Sequence, residues 1–180
     1  RTGDPNRDAA TLLGRPLAND DARRIGMVDG LADARVSIRY GAQPGTIEVS
    51  GTGTTADGNH VRSVRTLFRD DAGNLVAYND LFTVKTPDGR PAGGQGFGTE
   101  AFAKQVEQLR AMGVDRIETK PLVTAGHNGA YTWPRLGYDG QIPSDTLKKI
   151  PPALRRAMGG GKLVSDLLRT PAGVAWWKDN

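Results

Sequence analysis

The sequence predicts an α/β (α+β) fold: helices first, then a mixed, mostly antiparallel sheet, a central helix crossover after strand four, and a helical basic C-terminal tail. Three observations predict it. Between residues 35 and 85, four stretches rich in Val, Ile, Thr and Phe are separated by Gly/Asp/Asn-containing turns, so neighbouring strands run antiparallel. A helical stripe and a further strand-like stretch follow, which is the order of a crossover to a parallel strand. After residue 140 the chain breaks into short pieces opened by Ser or Pro and closed by Gly.

Each element has its own warrant. Asp8 to Gly14 reads as a first helix with an Asp cap and a Gly stop, leaving residues 1–7 a flexible N-terminus. Asn19 or Asp20 caps a second helix running toward Gly30. Arg35 to Tyr40 alternates polar and apolar, as a half-buried strand does, and Thr46 to Ser50 returns as its hairpin partner. Gly51 to Asn59 is rich in Gly and Thr and reads as a loop. His60 to Arg69 is a third strand, and Leu75 to Lys85 a fourth, apolar on both faces in places and therefore central. Thr99 to Met112 is the clearest helix, with Phe102, Val106 and Leu109 as its apolar stripe and Gly113 as its stop. Asp115 to Val123 is a fifth strand whose pairing Pro121 limits. Beyond it, helices open at Ser144 and Pro151-Pro152, and another follows Gly159-Gly160-Gly161.

The domain reading is therefore a sheet domain over 8–140 and an extension over 141–180. The chain begins Arg1-Thr2-Gly3-Asp4-Pro5 and ends shortly after Trp176-Trp177, and both ends predict one domain of a longer protein. No run of about 18 apolar residues is present, so no membrane helix is expected and the chain reads as cytoplasmic. There is no cysteine, which excludes a disulfide framework, a thiolate metal site and a cysteine nucleophile. His60 and His127 are the only histidines, so no metal centre is expected. The formal charge of +4 is uneven. Residues 146–180 hold seven basic side chains against Asp166 and Asp179, a net of +5, and residues 1–145 carry −1. Such a tail suits nucleic acid or an acidic partner, or is simply a solvated helical surface.

Two segments carry chemistry. Between strand four and the long helix lies Gly93-Gly94-Gln95-Gly96-Phe97-Gly98-Thr99. Glycines let backbone N–H groups approach a ligand, and a helix start presents unpaired N–H groups, so this turn suits a phosphate or pyrophosphate. It is not a Walker loop, because no Gly-Lys-Ser/Thr follows. It is a poor dinucleotide fingerprint, because the strand before it is the fourth of an antiparallel run. The second segment, about thirty residues on, is Asn128-Gly129-Ala130-Tyr131-Thr132-Trp133-Pro134-Arg135-Leu136-Gly137-Tyr138.

In these two segments, and in strand order, residues 8–140 resemble the GNAT superfamily of acyl-CoA-dependent N-acyltransferases. Gly96 and Gly98 match the glycines of that family's pyrophosphate loop. Asn128 matches the Asn of its later motif, and Arg135-Leu136-Gly137-Tyr138 the closing segment. Where the family carries Arg or Gln before the first loop glycine, Gly93 stands here and Gln95 is displaced. Trp133 falls where the family commonly has its catalytic Tyr.

The resemblance implies acetyl-CoA or another acyl-CoA as cosubstrate and a small-molecule or protein amine as acceptor. Backbone N–H groups near Phe82 to Val84 would hold the acyl carbonyl. The turn, with Gln95 and the N–H groups of Gly96, Phe97, Gly98 and Thr99, would hold the pyrophosphate, and Asn128 the coenzyme arm. Tyr131 is the proton donor chemistry favours, with Tyr138 second, since a phenol can protonate a thiolate and an indole cannot. Asp80, Glu118 and His127 are the alternatives for general base. Trp133, Leu136 and Tyr138 also read as simple packing residues. The alternative to an enzyme is a GNAT-like binding module without catalysis that contacts its partner through residues 146–180.

Overall fold

A computed structural model describes residues 4–92, 96–120, 123–124, 127–128, 133–134 and 136–179, with the backbone alone at 123–124 and 127–128. The chain divides into two compact units, Arg1–Lys120 and Pro121–Asn180. The boundary read from sequence, after residue 140, differs from this division by the segment 121–140, nine of whose twenty residues lie outside the described residues.

The first unit opens with α1 (Pro5–Leu13) and α2 (Asn19–Ile25). The helix over α1 begins before Asp8, which corrects the expected flexible start. Asp4 is the cap, its carboxylate accepting from the Asn6 N–H at 2.9 Å, and Pro5 sits at the first helical position, where its missing N–H costs nothing. α2 ends at Ile25 rather than near Gly30, and Met27 follows with φ +53°, a left-handed conformation.

The sheet has the strand order β1 (Ala32–Tyr40), β2 (Ile47–Thr54), β3 (His60–Arg69), β4 (Leu75–Lys85), β5 (Arg116–Thr119). The first four pair antiparallel and β5 runs parallel to β4, as the turn lengths and the crossover helix require. β3 and β4 match the expected spans. β2 does not: Gly51 to Thr54, read as loop, continue the strand. The reason is tertiary. A Cβ at Gly51 would meet the Gly26 carbonyl oxygen at 2.7 Å and Val28 Cγ1 at 2.9 Å, so the end of α2 lies directly on bare strand backbone.

α3 (Phe97–Ala111) crosses from β4 to β5. It buries Ala101, Phe102, Gln105, Gln108 and Leu109, and Val106 of the expected stripe is left exposed. The stripe turns because Gln105 must face inward. Its Nε2 donates to the Ile25 carbonyl at 3.0 Å and to Asn79 Oδ1 at 3.2 Å, and Asn79 Nδ2 donates back to Gln105 Oε1 at 3.3 Å. Around this pair, Leu13, Ile25, Val49, Leu67, Leu75, Ala77, Leu109 and Met112 form the apolar core. β5 is shorter than expected, ending at Thr119.

The β3–β4 turn is tied to β5. Asp70 accepts from the Ala72 and Asn74 N–H groups, from Asn74 Nδ2 and from Arg116 Nη1 at 2.7 Å. The Asn74 and Arg116 hydrogen bonds hold its carboxyl down at about 2.

Among its described residues, the second unit holds a two-stranded ladder, β6 (Val123–Thr124) with β7 (His127–Asn128), and the helices α4 (Ser144–Lys149), α5 (Pro152–Ala157), α6 (Val164–Leu168) and α7 (Pro171–Asp179). Ile142, Ile150, Met158, Val164 and Leu167 are its core, with Trp176 and Trp177 packed against it, so both tryptophans have a seat within the chain. Asp139 caps α6, accepting from the Ser165 N–H at 3.1 Å and Oγ at 2.7 Å. Burial pushes the Asp139 carboxyl up, but these hydrogen bonds outweigh it and hold it below the usual range. The tail is thus helical, as expected. Among the described residues no helix is long and apolar enough to cross a membrane.

Two outcomes test this packing. Gly51→Ala forces its methyl into the Gly26 carbonyl, and the urea midpoint should fall by an amount equivalent to about 1–3 kcal/mol. Asp70 binds its proton less readily folded than unfolded, so its contribution is present above an ordinary carboxyl pKa and is lost as the pH falls through about 2. Between pH ~4 and ~2, the wild-type melting temperature should therefore fall further than that of Asp70→Asn.

Candidate functional site

The site is built on a defect in β4. Val64 on β3 pairs with Leu81, but Arg65 pairs with Asn79, so Asp80 is an extra residue, a bulge. A bulge bends its strand and sharpens the local twist. Here it falls where β5 stops: β5 pairs with Val76–Asn79 and with no later residue of β4. The second half of β4 consequently runs on past its parallel neighbour.

Arg65 holds the bulge. It is fully buried, and its Nη1 donates to the Val64 carbonyl at 2.7 Å and to the Leu81 carbonyl on the bulged strand. Its Nη2 lies against Met27 Sδ. Met27, in its left-handed conformation, is thus held in place by packing and by this contact. Ser63, two residues before Arg65, donates to the Gly26 carbonyl and fixes the end of α2 to the same strand.

Beyond the bulge the backbone direction follows from one hydrogen bond. The Val84 carbonyl accepts from the Ala92 N–H at 2.8 Å, so residue 84 turns its backbone away from β3. By the alternation of antiparallel pairing, residue 82 does the same. Their side chains serve a different end. Phe82 and Val84 pack on the cluster of Val28, Leu31 and Val61, and the Phe82 ring stacks on Phe97 with centroids 6.3 Å apart. What these two positions can offer a ligand is main chain.

The glycine turn enters α3 through Gly96, at φ +78°, which serves as the N-cap with no side-chain cap bond. The Thr99 and Glu100 N–H groups both donate to the Gly96 carbonyl, at 3.0 and 3.1 Å. This corrects one expectation: the Thr99 N–H is used inside the helix start. Phe97 and Gly98 are the residues whose N–H groups precede the first helical bond. Gly98 lies over the Phe82 ring, where a Cβ would stand 3.2 Å from Phe82 Cε1.

The structure brings two candidate bases, Asp80 and Glu118, near one side chain, Tyr78. Thr66, Tyr78 and Glu118 are register neighbours on β3, β4 and β5. Asp80 accepts from Thr66 Oγ1 at 2.8 Å, and Glu118 pairs with Arg116 at 2.6 Å. Burial, and then the charges of Asp80 and Glu118, push the Tyr78 phenol above its ordinary value. Tyr78 therefore keeps its proton at neutral pH. Sequence reasoning passed over it, although it stands two residues before Asp80 on the same strand.

The other expected residues are distributed differently. Gln95 and Tyr131 lie outside the described residues. His127 and Asn128 form β7 of the second unit. Trp133 meets Tyr138 edge-on at 5.2 Å, which fits the packing role. No three His, Asp or Glu side chains among the described residues converge as a metal site. The chain matches no family model and no curated protein.

One outcome tests the role of Arg65. Arg65→Ala removes the donor that ties the Val64 and Leu81 carbonyls together and leaves a buried void, and the loss of stability in urea unfolding should be about 2–4 kcal/mol.

Proposed function

We propose that this chain binds an acyl-CoA, acetyl-CoA first, and transfers the acyl group to an amine. The observation that carries the reading is the bulge at Asp80, at the point where β5 pairing ends and just before a strand whose next turn leads into α3. A bulged strand running past its neighbour leaves main-chain groups without a strand partner, and a helix start beyond it favours an anion. An elongated ligand with an acyl carbonyl at one end and phosphates further along fits that combination. In this reading the Phe82 N–H orients the carbonyl, and the Phe97 and Gly98 N–H groups receive the pyrophosphate.

A thioester held there supplies an activated acyl carbon and a thiol leaving group. The remaining work falls to this chain. An amine must lose a proton to attack, and Asp80, exposed at the bulge, is the better acceptor for it. Glu118 is less suited, because its carboxylate is already paired with Arg116. Tyr78, protonated beside Asp80, can return a proton to a leaving group. By sequence alone, the resemblance assigns Tyr131 the role of proton donor and Asn128 the coenzyme arm. The reading implies a cytoplasmic setting, where acyl-CoA is available.

A second reading is a binding module of the same fold without catalysis. The hydrogen bond of Asp80 to Thr66 and the ion pair of Glu118 favour it, since both carboxylates already have structural partners. In that reading the exposed cations at the ends of α4 and α5, Lys148, Lys149, Arg155 and Arg156, would meet nucleic acid or an acidic partner.

Calorimetric titration with acetyl-CoA tests the proposal. Wild-type protein should bind with a dissociation constant of about 1 μM, and Gly96→Glu with Gly98→Glu, folded by circular dichroism, should weaken this at least ~100-fold. No binding to folded wild-type protein overturns the coenzyme site. Binding without acyl transfer to any amine in a broad acceptor screen supports the second reading.

A further inference from the structure

A cavity of about 210 Å³ lies between the end of α2, the β2–β3 hairpin and the first two turns of α3. Its apolar lining comes from Met27, Leu31, Phe97 and Ala101, of which Met27 is 2% exposed and Ala101 7%. Around the apolar part stand two cations, Arg24 and Lys104, and two anions, Asp29 and Glu100. Met27 is also one of only two non-glycine residues at positive φ among the described residues. Backbone outliers of this kind cost about 1–3 kcal/mol and cluster at ligand sites.

We infer that this cavity is a binding site for a small aliphatic α-amino acid. The charges select the class. An ammonium alone would meet Asp29 and Glu100 but face Arg24 and Lys104, and a carboxylate alone would meet the reverse. A neutral apolar molecule would desolvate all four groups for nothing. A zwitterion satisfies both signs at once, with its side chain on Met27, Leu31 and Phe97. The charges are also available for exchange. Arg24 and Asp29 are 3.9 Å apart, and Glu100 and Lys104 form an i,i+4 pair at 3.1 Å. Exposed pairs of this sort are worth only about 0–1 kcal/mol, so a ligand can replace them at little cost. The size agrees, because a branched aliphatic amino acid is of the order of the space available.

The test is an NMR titration of the full chain with L-leucine, without coenzyme, so that its result is independent of the acyl-CoA reading. The comparison ligands are 4-methylpentanoate, which lacks the amine, and 3-methylbutylamine, which lacks the carboxylate. Leucine should shift the Gly30, Ala56 and Ala101 amides saturably with a dissociation constant of about 1 mM, at least threefold tighter than either analogue. Asp29→Asn should weaken leucine at least about threefold while leaving 4-methylpentanoate no weaker, and Lys104→Gln should do the converse with 3-methylbutylamine. Both substitutions are at partly exposed ion pairs, and the dispersion of the same spectra verifies folding. No saturable shift with leucine, analogues binding within threefold of it, or variants indifferent to the charge removed would each overturn the inference.

Discussion

The first unit depends on a small set of buried polar groups that only one arrangement of its elements can satisfy. The Gln105 and Asn79 amides exchange two hydrogen bonds in a site from which water is excluded, and Gln105 adds a third to the end of α2. Arg65, wholly buried, donates from Nη1 to the Val64 and Leu81 carbonyls and places Nη2 against Met27 Sδ. A buried amide or guanidinium without partners costs far more than a misplaced methyl group. Sliding α3 by one residue or removing the bulge would strand these groups, so they specify register where apolar contacts alone would tolerate several.

This explains why the fold is irregular where it is. Hydrophobic burial asks only that Leu67, Leu75, Ala77 and Leu109 be inside, and many packings would put them there. The polar groups demand more: a bulge opposite Arg65, the end of α2 against bare glycine backbone, and Met27 in a left-handed conformation. Strain and bulge are neighbours because one guanidinium touches both. The bulge and the apolar cavity adjoin the same network, since Arg65 donates to the Leu81 carbonyl beside the bulge and lies against Met27, which lines the cavity. A change at Arg65 is therefore a change to both.

The two units solve stability differently. The sheet unit uses long-range pairing and a polar core. The second unit, of short helices, relies on a cluster of aliphatic side chains closed by Trp176 and Trp177, with Asp139 capping α6. Four of its cations, Lys148, Lys149, Arg155 and Arg156, lie in the last turns of α4 and α5, where they complement the helix carbonyls. The local role accounts for their spacing without excluding a partner.

Local patterning determined the element order. Alternation at Arg35 to Tyr40, the Asp70 to Asn74 turn, the strands from His60 and Leu75, and the helix before Gly113 were all legible, because each rests on side-chain period or turn chemistry within a few residues. The glycine turn was legible for the same reason: φ +78° at Gly96 is a local demand. What the tertiary structure alone decided is where polar residues belong. Val106 reads as core from the stripe, yet it is exposed and Gln105 is buried, because Asn79 and Ile25 supply partners that no sequence window contains. Gly51 looked like loop because the chain that approaches it is α2. The bulge at Asp80, the row of Tyr78 with Glu118, and the burial of Arg65 arise from pairings across β3, β4 and β5. Period reveals which face a residue occupies; only the assembled neighbours decide whether a polar group on that face is satisfied.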